Sequence, residues 1–205
     1  MLRHVHRSTV SQNTLVIREC GNNHRDSCHI LENRSESMTN QKGKYPVGKA
    51  ALFGGIAIAW IILDQLTKSL FAGQQPGGIL AGPFLGIFDI RLVHNTGGAW
   101  GIFADSTFGL GVFSLVVCAI IAAYFLWTAR QCNMLQVVSF ALIVAGGIGN
   151  AIDRFTQGFV TDFIEFSFID FPVFNIADIG VTCGFALLVI SMLLFMRKDD
   201  SETGA

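Results

Sequence analysis

The chain has 205 residues, 51% of them hydrophobic and 14% charged, with a mean hydropathy of +0.51. A soluble domain carries about 25% charged residues, so this composition excludes an ordinary water-facing globule. A net charge of −1 likewise excludes the basic footprint that a nucleic-acid partner requires.

Eleven of the 29 charged residues fall within the first 44. Residues 1–45 are polar, carry no apolar segment of signal-peptide type, and are expected to form a disordered cytoplasmic extension. Cys20 and Cys28, with His24 and His29 nearby, match no zinc spacing. A second initiation at Met38 would give Met-Thr-Asn-Gln-Lys-Gly-Lys, a short basic lead into the apolar region, so the extension can also be read as a mis-assigned start. Of the remaining cysteines, Cys118 and Cys183 fall inside apolar runs, where a thiol behaves as a small hydrophobe.

A bilayer-crossing helix needs roughly 20 apolar residues, and four segments qualify: Ala50–Phe71, Thr107–Ala129, Met134–Ile152 and Ile176–Met196. Lys42, Lys44 and Lys49 precede the first span, Arg130 lies between the second and third, and Arg197 and Lys198 follow the fourth. The two long connections, 72–106 and 153–175, hold only Arg91 and Arg154. The excess of Lys and Arg marks the cytoplasmic side, so both termini are expected inside and both long connections outside. Residues 46–198 then form the membrane domain and 199–205 a cytoplasmic tail.

The first outer connection contains Phe84-Leu-Gly-Ile-Phe-Asp-Ile-Arg-Leu-Val-His94, whose β-branched and aromatic residues predict one or two short strands. The second, from Thr156 to Phe174, is rich in phenylalanine and suited to rest on lipid or grip an acyl substrate. The fold class expected is an all-α membrane protein, with four transmembrane helices and a small β-rich extracytoplasmic cradle.

Ionisable residues in or beside a span are costly and point to function. Here they share one layer: Asp64 and Lys68 on the first span, Asp153 and Arg154 after the third, Asp162 beyond it, and Asp178 entering the fourth. Asp64 and Lys68 are i,i+4, a natural helix-surface ion pair. Asn150 with Asp153, and Asn175 with Asp178, repeat an i,i+3 spacing. Gly146, Gly147 and Gly149 let the third span approach a neighbour closely. Two carboxylates in one low-dielectric site cannot both ionise cheaply. One would keep its proton while the other activates water against an amide, and no cofactor is needed.

Other chemistries fit less well. A zinc hydrolase wants histidines at helical spacing, and His94 is the only histidine beyond the extension. A Ser/Lys hydrolase could use Lys68 with Ser69 or Ser106, but Lys68 already faces Asp64. A hard-cation site of Asp and Asn oxygens stays chemically open. A transporter would place its acids near the midplane, within repeated halves. A non-catalytic membrane subunit would leave the outward Asn and Asp layer without a purpose. The residues alone do not separate Asp162 from Asp153, which could equally pair with Arg154 or cap a helix.

Five stretches carry a resemblance: Asp64-Gln-Leu-Thr-Lys68, Asn95-Thr-Gly-Gly-Ala-Trp-Gly101, Gly146-Gly-Ile-Gly-Asn-Ala-Ile-Asp-Arg154, Val160-Thr-Asp-Phe-Ile164 and Phe174-Asn-Ile-Ala-Asp178. In that order, over residues 46–196, the chain resembles lipoprotein signal peptidase (signal peptidase II), an aspartyl protease family. The resemblance implies a diacylglyceryl-prolipoprotein substrate at the membrane lipid surface, cleaved just before its lipidated cysteine, and inhibition by globomycin. It implies Asp162 and Asp178 as the catalytic pair and no metal. Asp64, Lys68, Asn95, Asn150, Asp153, Arg154, Asn175 and Ala177 match positions that support the site. A bacterial inner-membrane location follows, with the site at the periplasmic face; a monomer suffices for the chemistry. Gly98, Trp100 and the Ile179-Gly180 pair depart from the commoner family residues, and the loop from Asp162 to Asp178 is slightly short.

Overall fold

The computed structural model describes residues 46–97 and 106–203, with side chains as far as Leu194. The expectations for residues 1–45, including Met38, Cys20, Cys28, His24 and His29, and those for Gly98 and Trp100, lie outside these residues. Among the described residues, four helices are long and apolar enough to cross a membrane. They are α1 (Val47–Ser69), α2 (Thr107–Thr128), α3 (Met134–Thr156) and α4 (Ile176–Thr203). Between α1 and α2 run β1 (Ile79–Phe84) and β2 (Phe88–Asn95), and between α3 and α4 runs β3 (Val160–Phe166). All three strands therefore sit at one end of the bundle, joined as an antiparallel sheet in the order β1-β2-β3.

The central element is α3. Of its span 56% is buried, against 11%, 17% and 22% for the spans of α1, α2 and α4, and it packs against each of the other three helices. The outer faces carry exposed Leu, Ile, Val and Phe, as a surface bathed in lipid requires. Lipid tails are as apolar as leucine, so helix association depends on close packing and polar contacts. A Cβ on Gly146 would collide with the carbonyl oxygen of Ala177, and one on Gly149 would lie 2.6 Å from Asp64 Oδ2. These two glycines thus seat α4 and α1 against α3. Gly147 turns the other way and faces Cys118 of α2.

At the opposite end from the sheet, Asn133 and Gln136 form a reciprocal capping box that starts α3. Asn133 Nδ2 also donates to Ser191 Oγ on α4 at 2.8 Å. Lys49 Nζ donates to the carbonyls of Cys132 at 2.6 Å and Arg130 at 3.2 Å, which ties the start of α1 to the turn between α2 and α3.

The predicted spans hold with shifted ends. The first helix begins at Val47, straight after Pro46, rather than at Ala50, and ends at Ser69. The third continues past Ile152 to Thr156 and so carries Asp153 and Arg154 within the helix. The fourth runs through Thr203, making much of the expected tail helical. The predicted strand region is a full hairpin beginning at Ile79. Strand β3 is not anticipated by the sequence reading, because Val160, Thr161, Asp162 and Phe163 are all buried and show no in-out alternation.

Replacing Gly146 by valine should destabilise the bundle by about 1–3 kcal/mol through overpacking against Ala177 and Val181. Thermal unfolding in detergent reads this directly, and an unchanged midpoint would contradict the close α3–α4 seat.

Candidate active site

A buried cation organises the sheet end of the bundle. Lys68 Nζ lies 2.9 Å from Asp64 Oδ2, 3.2 Å from Asp153 Oδ2 and 3.0 Å from Asn150 Oδ1. Its three donors thus meet three acceptors. Lys68 and both aspartates are essentially sealed from solvent, so this is no helix-surface pair of the kind the i,i+4 spacing suggests. Asp153 likewise pairs with Lys68 rather than with Arg154 and caps no helix. Its other contacts are the Thr161 amide, which donates to Oδ2 at 3.0 Å, and Gln65 Nε2, which donates to Oδ1 at 3.1 Å.

Asp64 completes the link between helices. Its Oδ1 accepts the Ala177 amide of α4 at 2.9 Å, satisfying one of the orphan donors of a helix start. Ala177 is itself fully buried, in the space left by Gly146 and Gly149.

The two candidate catalytic carboxylates are held by different elements. Asp178 sits in the first turn of α4 and forms a reciprocal cap with Asn175. The Asn175 amide donates to Asp178 Oδ2 at 3.1 Å, and the Asp178 amide donates to Asn175 Oδ1 at 3.0 Å. This is a capping box with a carboxylate at the third helical position, so local sequence alone fixes where that side chain points. Asn150 Nδ2 donates to the remaining oxygen, Asp178 Oδ1, at 2.8 Å.

Asp162 comes from β3, where it pairs in register with Val93. Its Oδ1 accepts Asn175 Nδ2 at 2.7 Å and its Oδ2 accepts Asn95 Nδ2 at 3.0 Å. Asn175 therefore touches both carboxylates, and its Nδ2 also donates to Asn150 Oδ1 at 3.0 Å. Each Asn amide has its orientation fixed. Lys68 at Asn150 Oδ1 turns that residue's Nδ2 toward Asp178, and the Gly97 amide donating to Asn95 Oδ1 at 3.0 Å turns that residue's Nδ2 toward Asp162.

Both carboxylates line one cavity of about 510 Å³, together with Asn95, Asn150, Arg154 and a wall of Phe166, Phe171 and Phe174. Burial, reinforced by the charge of Asp178, pushes the Asp162 carboxyl up to about 7, against hydrogen bonds from Asn95 and Asn175 and the Lys68 charge. Near neutral pH, Asp162 thus holds a proton for much of the time beside a second carboxylate. Such a pair can activate water with one member and protonate a leaving amine with the other. Arg154 closes the cavity, its Nη2 donating to the Gly97 carbonyl at 3.2 Å and its Nη1 to the Asn150 carbonyl at 3.4 Å.

All ten residues singled out from sequence lie in this one region. Sequence reasoning missed Gln65, whose Nε2 bridges Asp64, Asp153 and the Gly149 carbonyl, and Thr161, whose amide ties β3 to α3. Gln65 adjoins Asp64, and neighbouring helix positions ordinarily face apart, so no spacing rule points to it. His94 stacks on Phe159 with ring centroids 3.9 Å apart.

A family model described as Signal peptidase (SPase) II matches residues 56–194, which include both carboxylates and the whole Lys68 cluster. The chain belongs to the signal peptidase II family. It is 39% identical over 149 residues to a lipoprotein signal peptidase of Gloeobacter violaceus, covering 73% of this chain and 83% of that one. The lipoprotein signal peptidase of Streptococcus pneumoniae is 37% identical over 145 residues, covering 71% and 94%. A solved bacterial membrane enzyme superposes with a TM-score of 0.66 at 32% identity, covering 76% of this chain and 93% of that one. The peptidase is thus a multi-pass membrane protease.

In this peptidase the Lys68 cluster is the part least tolerant of change. Lys68→Met should cost about 3–5 kcal/mol, because it strands Asp64 and Asp153 without a cation in a dry interior. Thermal unfolding in detergent is the measurement, and a loss under about 1 kcal/mol would mean that water reaches the cluster.

Proposed function

We propose that this peptidase removes the signal peptide from diacylglyceryl-modified prolipoproteins, cutting just before the lipidated cysteine, with Asp162 and Asp178 as the catalytic pair. The observation that carries this reading is the Asn175 bridge, one buried residue whose backbone amide donates to the Asp178 carboxylate and whose side-chain amide donates to the Asp162 carboxylate, at the wall of a single cavity.

In this mechanism a water bound between the carboxylates loses its proton to Asp178 as its oxygen attacks the scissile carbonyl carbon. Asp162 enters the step protonated, polarises that carbonyl, and later delivers a proton to the departing amine. Asn95, Asn150 and Asn175 keep both carboxylates in place, so little reorganisation is needed as charge develops. Arg154 positions the peptide from the cavity wall. Asp64, Lys68, Asp153 and Ala177 hold the helices that present these groups.

The site opens on the outer face, with both termini cytoplasmic. Supporting this are the Lys and Arg residues gathered at the other end, including Lys49 and Arg130. Residues 1–45 are an extension on the cytoplasmic side and the chain works as a monomer. A globomycin-type cyclic peptide blocks the dyad cavity.

The test is cleavage of a diacylated lipobox peptide by the purified protein. Asp162→Asn and Asp178→Asn should each lower kcat by about a thousandfold or more with unfolding midpoints retained. Substantial activity in either variant refutes the pair. Activity that vanishes with chelator and returns with a divalent cation would replace the pair by a metal centre.

Asp162 also sets the sign of the pH response. Its carboxyl stays protonated up to about 7, so kcat/KM should fall as pH rises through that value, by about tenfold per further unit. An alkaline limb near the usual carboxylate range would show that Asp162 is not the acid.

A further inference from the structure

A second cavity, of about 260 Å³, opens between α2, α3 and α4. Its walls are hydrocarbon: Leu110, Phe113, Val117, Ile121, Ile143 and Phe185. The polar side chains that reach it from α2 are already engaged. Ser114 Oγ donates to the Gly147 carbonyl at 2.9 Å, and Cys118 Sγ faces the Val144 carbonyl at 3.6 Å. This groove needs nothing but an alkyl chain.

The groove meets the dyad cavity at Arg154 and Val181, which line both. At that junction two guanidinium nitrogens of Arg154 have carbonyl partners, while Nε is buried and has no acceptor among the described residues. A buried N–H left unpaired is costly, so the junction calls for an acceptor oxygen with hydrocarbon running on from it. An O-acyl ester supplies both. Because Arg154 and Val181 line both cavities, an ester held at this junction would sit beside a substrate bound at Asp162 and Asp178.

We propose that the α2–α3–α4 groove seats one acyl chain of the substrate's diacylglyceryl group, with the ester carbonyl accepting from Arg154 Nε. This rests on the prolipoprotein reading above and adds to it a subsite. A chain that moves from bilayer to groove leaves one hydrocarbon phase for another and gains little by transfer. Recognition therefore lies in the ester carbonyl and in the fit of the chain, and chain length matters little.

The experiment uses the full-length protein in lipid vesicles with three probes. The first is a diacylated lipobox peptide bearing a diazirine near the carboxyl end of one chain. Photolysis should label Val117, Ile121 and their neighbours in the groove, and unlabelled diacylated peptide should displace the label. The second is the matching ether-linked peptide, which lacks the carbonyl and should be cleaved with kcat/KM lowered about tenfold or more. The third is Val117→Trp, which fills the groove and should raise KM about tenfold with little change in kcat. Val189→Trp, on the exposed face of α4, should behave as the parent.

Label confined to outward faces such as Val189 and Leu193, or equal cleavage of ester and ether peptides, overturns the proposal. So does a diazirine phospholipid that labels the groove equally and is not displaced by substrate, which would mean bulk lipid fills it. If Val117→Trp fails to fold, the labelling and ether results decide on the parent protein. Loss of all cleavage of the ester peptide by the parent would instead sink the underlying prolipoprotein reading.

Discussion

The architecture of the site depends on one ammonium group enclosed by protein. Lys68 joins α1 to α3 through Asp153, is closed on its own helix by Asp64, and steers Asn150 toward Asp178. A lone charge in that position would be intolerable, and so would either carboxylate without it. The three therefore stand or fall together, and their mutual dependence sets the relative height of α1, α3 and, through the Ala177 amide, α4. The site inherits its geometry from this anchor.

On that anchor the two carboxylates are positioned by contrasting means. Asp178 is placed by a purely local device, its exchange of hydrogen bonds with Asn175 at the start of α4. Asp162 is placed by long-range pairing, since β3 must find β2 across 67 residues of chain for Asn95 to reach it. Asn175 then ties the local and the distant together through its own side chain. The raised carboxyl of Asp162 is the electrostatic signature of this arrangement, because a group so buried beside another acid holds its proton.

Much of this was legible in the sequence. The four spans stand out because a bilayer demands length and apolarity, and Asp178 with Asn175 stands out because the i,i+3 spacing lies within one helical turn. The layer of acids could be read because charges at a membrane boundary are rare. Asp162 was different. From the residues alone it stood level with Asp153, and only its motif favoured it, since β3 is buried on both faces at its start and shows no alternation. Asp153 misled for a related reason. Its neighbour Arg154 invites pairing, yet i and i+1 side chains leave a helix in different directions, and the true partner lies 85 positions upstream at Lys68. The burial of the Asp64–Lys68 pair was equally hidden, because the spacing that makes a surface pair also makes an interior one.

Strand β3 has a further consequence for how a peptide can enter. Its Thr161 amide is taken by Asp153, and its Phe163 and Ile164 amides are both taken by the Phe174 carbonyl. The backbone around Asp162 is thus spoken for by the protein's own chain. An incoming polypeptide cannot dock there by extending the sheet, the mode that an open strand edge would offer. Main-chain ladders are sequence-blind, so their exclusion leaves selection to the side-chain amides and the aromatic wall of the cavity, a gatekeeping suited to an enzyme surrounded by unrelated membrane segments.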